Sequence, residues 1–258
     1  MNTNGPKFRG RNDRERFMKN SLRIEGFGIR LRPVQMGDAA FILWLRNLDH
    51  VRGKVGDSAA DMTCQEEWLK KYFEREGDYY FIVETLGGIP LGTHGIYGVK
   101  GGKAEIGRHI IRPEVFAGVP SAILTTELGF GRLGLSELRS TVVSSNVKVI
   151  SFHRRCGAKQ VGILQSAQII GGQSVDLVEF VMTSGKWFKV RSGLFPLARL
   201  AGELVRDWER SQGINDQRWM KLRKAVCLPL GFLAGFFGPQ LDAAANLENF
   251  AGFEFFGL

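Results

Sequence analysis

The residues of this 258-residue chain whose types and spacing could do chemistry are few. Glu105 and His109 stand four apart in the alternating stretch AEIGRHII, and a strand period of two puts both on one face. There His109 could relay a proton or bind a substrate, or be a structural histidine with its hydrogen bonds satisfied. Glu105 on its own reads equally as a surface glutamate paired with an arginine. His153 stands seven residues after Asn146. An imidazole titrates near neutrality, which suits a proton donor, with a structural or pocket role as the alternative. Asn146 itself suits a helix N-cap. Ala117, Gly118, Ser121 and Ala122 are small residues at the start of an apolar helical run. Backbone can approach closely there, and a helix N-terminus offers unpaired N–H donors and a favourable dipole to a phosphate. Between residues 46 and 68 the segment RNLDHVRGKVGDSAADMTCQEEW brings Asn47, His50, Arg52, Lys54 and Asp57 together with two glycines. Arginine and lysine match phosphate oxygens and could hold a diphosphate; a solvated loop is the plainer reading. His94 and Tyr97 could add contacts to that site. Cys156, before Gly157, reads as buried packing, since no adjacent base would activate its thiol.

These groups need elements to position them. Residues 26–34 alternate and stop at Pro33, a strand. Asp38 can cap a helix over 39–47, and Thr63 with Glu66 forms a capping-box pattern before a helix reaching about residue 76. Strands over 79–85, 91–99 and 104–111 are joined by Gly87-Gly88 and Gly101-Gly102, both hairpin signals. A helix over 121–133, a strand over 138–143, a helix over 147–156 and strands over 158–164 and 175–183 about Gly171-Gly172 complete the body. Antiparallel hairpins followed by two helical crossovers predict one mixed sheet, α/β (α+β). Beyond Trp187, residues 196–212 suit an amphipathic helix with Leu197, Leu200, Leu204, Val205 and Trp208 inward, and 216–225 a second, basic helix.

Apolar residues at 44% and charged residues at 24% exclude wholesale disorder, collagen and coiled coil. Cys64, Cys156 and Cys227 are too widely spaced for a disulfide framework or a CxxC zinc site, so no metal is expected and a reducing cytoplasm fits best. Net charge is +9, but residues 1–23 carry seven Lys/Arg against two Asp/Glu, and the middle of the chain is near neutral. A nucleic-acid binder more often carries its basic face on the folded core, so no specific nucleic acid is expected. Residues 227–237, CLPLGFLAGFF, are too short to span a bilayer. After the basic run RWMKLRK they could still touch an anionic membrane surface. The organisation expected is a basic N-terminal segment (1–23), a central domain (24–185) and a helical C-terminal extension with a tail (186–258).

Four segments carry a family resemblance: IRLRPVQMGDAAFILWLRN (29–47), YYFIVETLGGIPLGTHGIYGV (79–99), AEIGRHIIRP (104–113) and LGFGRLGLSELRSTVVSSNVKVISFHRRCGAKQVG (128–162). In that order and spacing they resemble the GCN5-related N-acetyltransferase (GNAT) superfamily, in the subtype of ribosomal-protein and amino-sugar acetyltransferases. The resemblance implies a mixed, mostly antiparallel central sheet flanked by helices. It also implies direct acetyl transfer from acetyl-CoA to a primary amine. Two neighbouring strands would splay to take the pantetheine arm along Ile110 and Ile111. The pyrophosphate would lie on Ala117, Gly118, Ser121 and Ala122, with Asn146 also touching the cofactor. The family's loop, Q/R-x-x-G-x-G/A, is replaced here by RPEVFAGVPSA with one glycine, and Phe116 and Pro120 depart from the pattern. Glu105 falls where the family often keeps a base, and His153 where it often keeps the acid for the departing thiolate, with His109 a third candidate. The substrate side would comprise Asn47, His50, Arg52, Asp57, His94 and Tyr97. A nucleotide-linked amino sugar is the acceptor expected first; a protein N-terminus, or a non-catalytic GNAT-like interaction module, are the alternatives.

Overall fold

The computed structural model describes residues 19, 21–49, 51, 55 and 59–212. Eight strands form one sheet in the order β1-β2-β3-β4-β5-β6-β8-β7. They are β1 (Ile24–Gly26), β2 (Ile29–Pro33), β3 (Tyr79–Thr85), β4 (Pro90–Lys100), β5 (Lys103–Ile111), β6 (Glu137–Val143), β7 (Lys159–Ile170) and β8 (Gln173–Thr183). Every neighbouring pair is antiparallel except β5 and β6, which the crossover helix between them makes parallel. The helices are α1 (Ala39–Arg46), α2 (Met62–Glu74), α3 (Gly118–Glu127), α4 (Val147–Arg155) and α5 (Ser184–Gln212).

Two cores follow from the strand period. On one face Tyr80 and Ile82 meet Ala39 and Ile42 of α1 and Leu69 and Tyr72 of α2. On the other, Ile29, Leu31, Phe81, Val83 and Ile96 meet α3 and the inner side of α5. Helix α4 joins that second face through Ile150, against Val142, Val178 and Phe180.

Several boundaries differ from the sequence expectation for local reasons. Residues 26–34 are not one strand: Phe27 and Gly28 turn with positive φ, and β1 doubles back as a hairpin on β2. Asp38 precedes α1 without capping it by its side chain. Its carboxylate accepts instead from the Gln35 N–H at 2.7 Å and from both terminal nitrogens of Arg32 at 2.8 Å. Helix α2 is capped by Asp61, whose Oδ1 accepts from the Cys64 N–H at 2.8 Å, so Thr63 lies inside the first turn. Helix α5 begins directly at the end of β8 and runs through Pro196. Leu197, Val205 and Trp208 are buried as expected, but Leu200 and Leu204 are half-buried, and Ala198, Ala201 and Gly202 take the contact face. The small residues let α5 approach the sheet edge closely: a Cβ on Gly202 would sit 2.0 Å from the Phe27 carbonyl oxygen. The expected second helix over 216–225, the basic residues 1–18 and the apolar run 227–237 lie outside the described residues.

Candidate active site

Strands β5 and β6 pair across only three rungs: Lys103 with Glu137, Ala104 with Leu138, and Glu105 with Arg139. Beyond these, β5 continues to Ile111 and β6 to Val143 with no ladder between them. Their diverging edges border a cavity of about 350 Å³ that reaches both faces of the sheet. From the α3/α4 side it is lined by Ala122, Ile123, Asn146, Phe152 and His153; from the α1/α2 side by Arg46, Val51, Val55, Tyr97 and Arg108. The splay is therefore a passage through the sheet.

At the entrance to α3 the first backbone donors are not consumed by the helix, and residues 117–121 stand outside the lining of the cavity. Residues 115–121 are all buried. The first N–H groups of a helix have no intrahelical partner. Among the described residues nothing accepts from the backbone N–H of Ala117, Gly118 or Val119. Pro120 brings no N–H, and the Ser121 N–H bonds the Ala117 carbonyl at 3.0 Å. Three buried, unspent donors at one helix end fit a phosphate group, even though the loop carries one glycine. The unpaired edges of β5 and β6 likewise suit an extended chain bearing amides, so the residues present fit coenzyme A.

Glu105 and His109 do not share a face. The register between β4 and β5 shifts from Gly95–Gly107 to Thr93–Ile110, so β5 holds one extra residue. Arg108 absorbs it with φ of 55°. Such a bulge reverses the side-chain alternation beyond it. Glu105 lies on the α1/α2 face opposite Tyr97, and His109 turns to the α3 face. An isolated glycine in a strand pattern, Gly107, was the readable sign of the bulge.

On the α3 face His109 and His94 stack, with ring centroids 4.1 Å apart and 8° between planes. The Ser121 hydroxyl donates to the Gly118 carbonyl at 2.9 Å, and the Thr125 hydroxyl to the Ser121 carbonyl at 2.8 Å. Both hydroxyls are thereby left to accept, from His109 Nε2–H and His94 Nδ1–H respectively, each at 2.8 Å. Nδ1 of His109 and Nε2 of His94 keep the lone pairs. Burial, then the neighbouring His153, pushes His109 down to about 3. Burial, then His109, holds His94 well below its ordinary value. His153 stacks on Phe180 at 5.0 Å, with Nδ1 3.4 Å from the Ser140 hydroxyl, and burial lowers it to about 4. All three are neutral at pH 7. His153 can therefore offer an N–H hydrogen bond, not the extra proton that a free imidazole would carry near neutrality.

On the α1/α2 face Glu105 is exposed. Its register partner Arg139 is engaged by Glu137 at 2.8 Å and Glu179 at 3.6 Å. No described arginine or lysine pairs with Glu105. Burial, then the Glu105 charge, raises the Tyr97 hydroxyl to about 12, so it stays protonated. Sequence reasoning missed the group beside it. Arg108 forms a two-pronged ion pair with Asp78, at 2.5 and 3.0 Å. Its guanidinium lies 4.4 Å from the Tyr97 ring centroid, with Tyr80 and Trp68 at 5.3 and 5.4 Å. A Cβ on Gly107 would meet the Tyr97 hydroxyl at 2.7 Å, so the glycine makes room for that ring.

The remaining candidates divide. Asn146 caps α4, its side chain accepting from the Val149 N–H at 3.4 Å, and it borders the cavity. Ile110 and Ala122 also border it; Ile111 packs into the α3/α5 core. Asn47 turns its amide onto the Leu43 carbonyl at 2.9 Å, ending α1, and is not at the cavity. His50, Arg52 and Asp57 lie outside the described residues, although their neighbours Val51 and Val55 border the cavity. His94 and Tyr97 are on opposite faces of the sheet, and both border the cavity. Burial raises the Cys156 thiol to about 12, which keeps it an unreactive wall.

Residues 29–159 match the acetyltransferase (GNAT) domain family. The chain belongs to the GNAT family. No curated protein matches this GNAT chain in sequence. Solved structures share its fold. A GCN5-related N-acetyltransferase from Brucella melitensis is 18% identical over 68% of this chain and 85% of its own, with a TM-score of 0.59. Apo FdhC, a nucleotide-linked sugar GNAT, is 28% identical over 70% of this chain and 99% of its own, with a TM-score of 0.57. Spermidine N-acetyltransferase from Vibrio cholerae, in complex with CoA and spermine, is 22% identical over 63% and 99%, with a TM-score of 0.58. Helix α5 of this GNAT protein lies beyond the family match. Among the described residues no three metal-ligating side chains cluster, and no helix is long and apolar enough to cross a membrane.

Proposed function

We propose that this GNAT protein is an acetyl-CoA-dependent N-acetyltransferase acting on a primary amine, and that the amine belongs to a nucleotide-linked amino sugar. The observation that carries the reading is the set of three unspent, buried N–H donors on Ala117, Gly118 and Val119 beside a splayed strand pair. Acetyl-CoA supplies a thioester: the amine nitrogen bonds its carbonyl carbon, the C–S bond breaks, and CoA leaves as a thiolate.

The residues divide the work by face. Glu105 takes one proton from the amine nitrogen on the α1/α2 face, either from the ammonium before attack or from the charged nitrogen after it, directly or through water. Tyr97, kept neutral, orients the incoming amine. The backbone of β5 from Ile106 to Ile111 aligns the pantetheine arm, and α3 holds the pyrophosphate. Asn146 adds a cofactor contact from the start of α4. His153, neutral and on the cofactor side, offers an N–H to the sulfur end, while the His109 N–H is held by the Ser121 hydroxyl.

Charge supports the choice of acceptor. Arg46 and Arg108 border the cavity, Arg108 paired with Asp78, and the carboxylate assigned to the acceptor side, Glu105, stands outside its lining. A polyamine asks for carboxylates; a diphosphate asks for arginines. The resemblance to FdhC, described as a nucleotide-linked sugar GNAT, points the same way. The test is an acceptor screen with acetyl-CoA. Turnover of UDP-, dTDP- or GDP-linked amino sugars is expected. Turnover of spermidine or of short peptides with none of the sugars would replace this acceptor by another.

A further inference from the structure

The cavity extends where acetyl transfer does not need it. Glu105 and Arg139 form the last rung of β5 and β6; a thioester carbon open to an amine from the α1/α2 face would sit just beyond it. On the opposite face the same cavity continues behind that rung, against Leu138 and its β8 partner Met182. Trp187 and Leu194 of α5 close it, with Phe152 and Ala158 at the side. Leu138, Met182, Trp187, Leu194 and Phe152 are all buried side chains, so this end is enclosed.

Its walls at this end are mainly apolar, with Ser140 and His153 at the border. The Trp187 indole N–H on the back wall is spent on Glu127 Oε1 at 2.9 Å. Arg191 holds both oxygens of that carboxylate, at 2.9 and 2.8 Å. Cys156 borders the chamber as a neutral thiol. A cavity lined this way holds no water readily and takes apolar matter instead. The residues that close it come from β8 and α5, outside the stretch matching the family.

We propose that this chamber receives the acyl chain of the donor, and that the protein prefers an acyl-CoA about two methylenes longer than acetyl-CoA. The proposal rests on the acyltransferase reading above. The chemistry at the carbonyl is unchanged: the C–N bond forms, the C–S bond breaks, and the chain is carried along.

The test needs no acceptor. CoA, acetyl-, propionyl-, butyryl- and hexanoyl-CoA are titrated into the purified full chain by calorimetry. Each methylene that leaves water is expected to tighten binding about fourfold at most, so butyryl-CoA should bind about tenfold tighter than acetyl-CoA. Ala158→Leu, which fills the side of the chamber, is expected to reverse that order while CoA still binds. Leu194→Phe does the same from α5 should the first variant not fold by circular dichroism. CoA binding with acyl-CoA affinities that are flat or fall with chain length overturns the chamber and leaves the acetyltransferase reading standing. No binding of CoA or of any acyl-CoA overturns both.

Discussion

At the scale of single residues, the proposed mechanism divides the chemistry between the two faces of the sheet. Glu105 stands among solvent on the acceptor side, with its neighbouring arginine taken by Glu137 and Glu179. Glu105→Gln is expected to lower kcat by about 10²–10⁴-fold while leaving the affinity for CoA unchanged, because the donor is held from the opposite face. Wild-type turnover in that variant would move proton removal to another group. Gly107→Val is expected to displace Tyr97, whose hydroxyl occupies the space a Cβ would need. A raised KM for the acceptor with CoA affinity intact is the expected signature. Residue type and position in the chain single out His109, His153 and Asn146 as candidates, and all three border the cavity. The sequence could not show that three neighbouring histidines are buried together, which takes away the near-neutral titration that made His153 an attractive acid.

At the scale of elements, most strands were legible because the turn residues are explicit. Gly87-Gly88, Gly101-Gly102 and Gly171-Gly172 all fall between paired strands. What was hidden is what tertiary packing decides. Phe27 adopts φ of 50° in the turn between β1 and β2 because the hairpin and α5 pack on it, against the residue's own preference. Arg108 sits in the bulge because Asp78 and three aromatic rings hold it there. Helix α5 starts twelve residues before the expected position, through Gly185, Gly193 and Pro196, because one side of it is buried against α3 and the sheet. Gly202→Val is expected to push α5 away from the β1–β2 turn at a cost of about 1–3 kcal/mol, read as a lowered denaturation midpoint. An unchanged midpoint would mean that α5 is not seated there in solution.

At the scale of the molecule, the buried histidines couple folding to pH. Each has a folded value below the ordinary 6.5, so the unfolded chain binds more protons as the solution turns acid. The stability these neutral rings share is complete above pH 6.5 and is lost as pH falls towards their folded values near 4 and 3. A falling melting temperature between pH 6.5 and 4.5, flattened in His109→Gln, is the expected result; a curve unchanged by that substitution would remove His109 from the effect. The extension belongs to the same body: α5 shares the core of the strands it follows, and near its end Glu209 accepts from the Thr85 hydroxyl and, at 3.0 Å, from the Gly87 N–H. The most direct measurement of the whole account is calorimetric titration of the full chain with acetyl-CoA, with free CoA as the comparison. Micromolar binding of both is the result that buried donors at α3 beside a splayed strand pair require. No heat of binding at millimolar acetyl-CoA would contradict it.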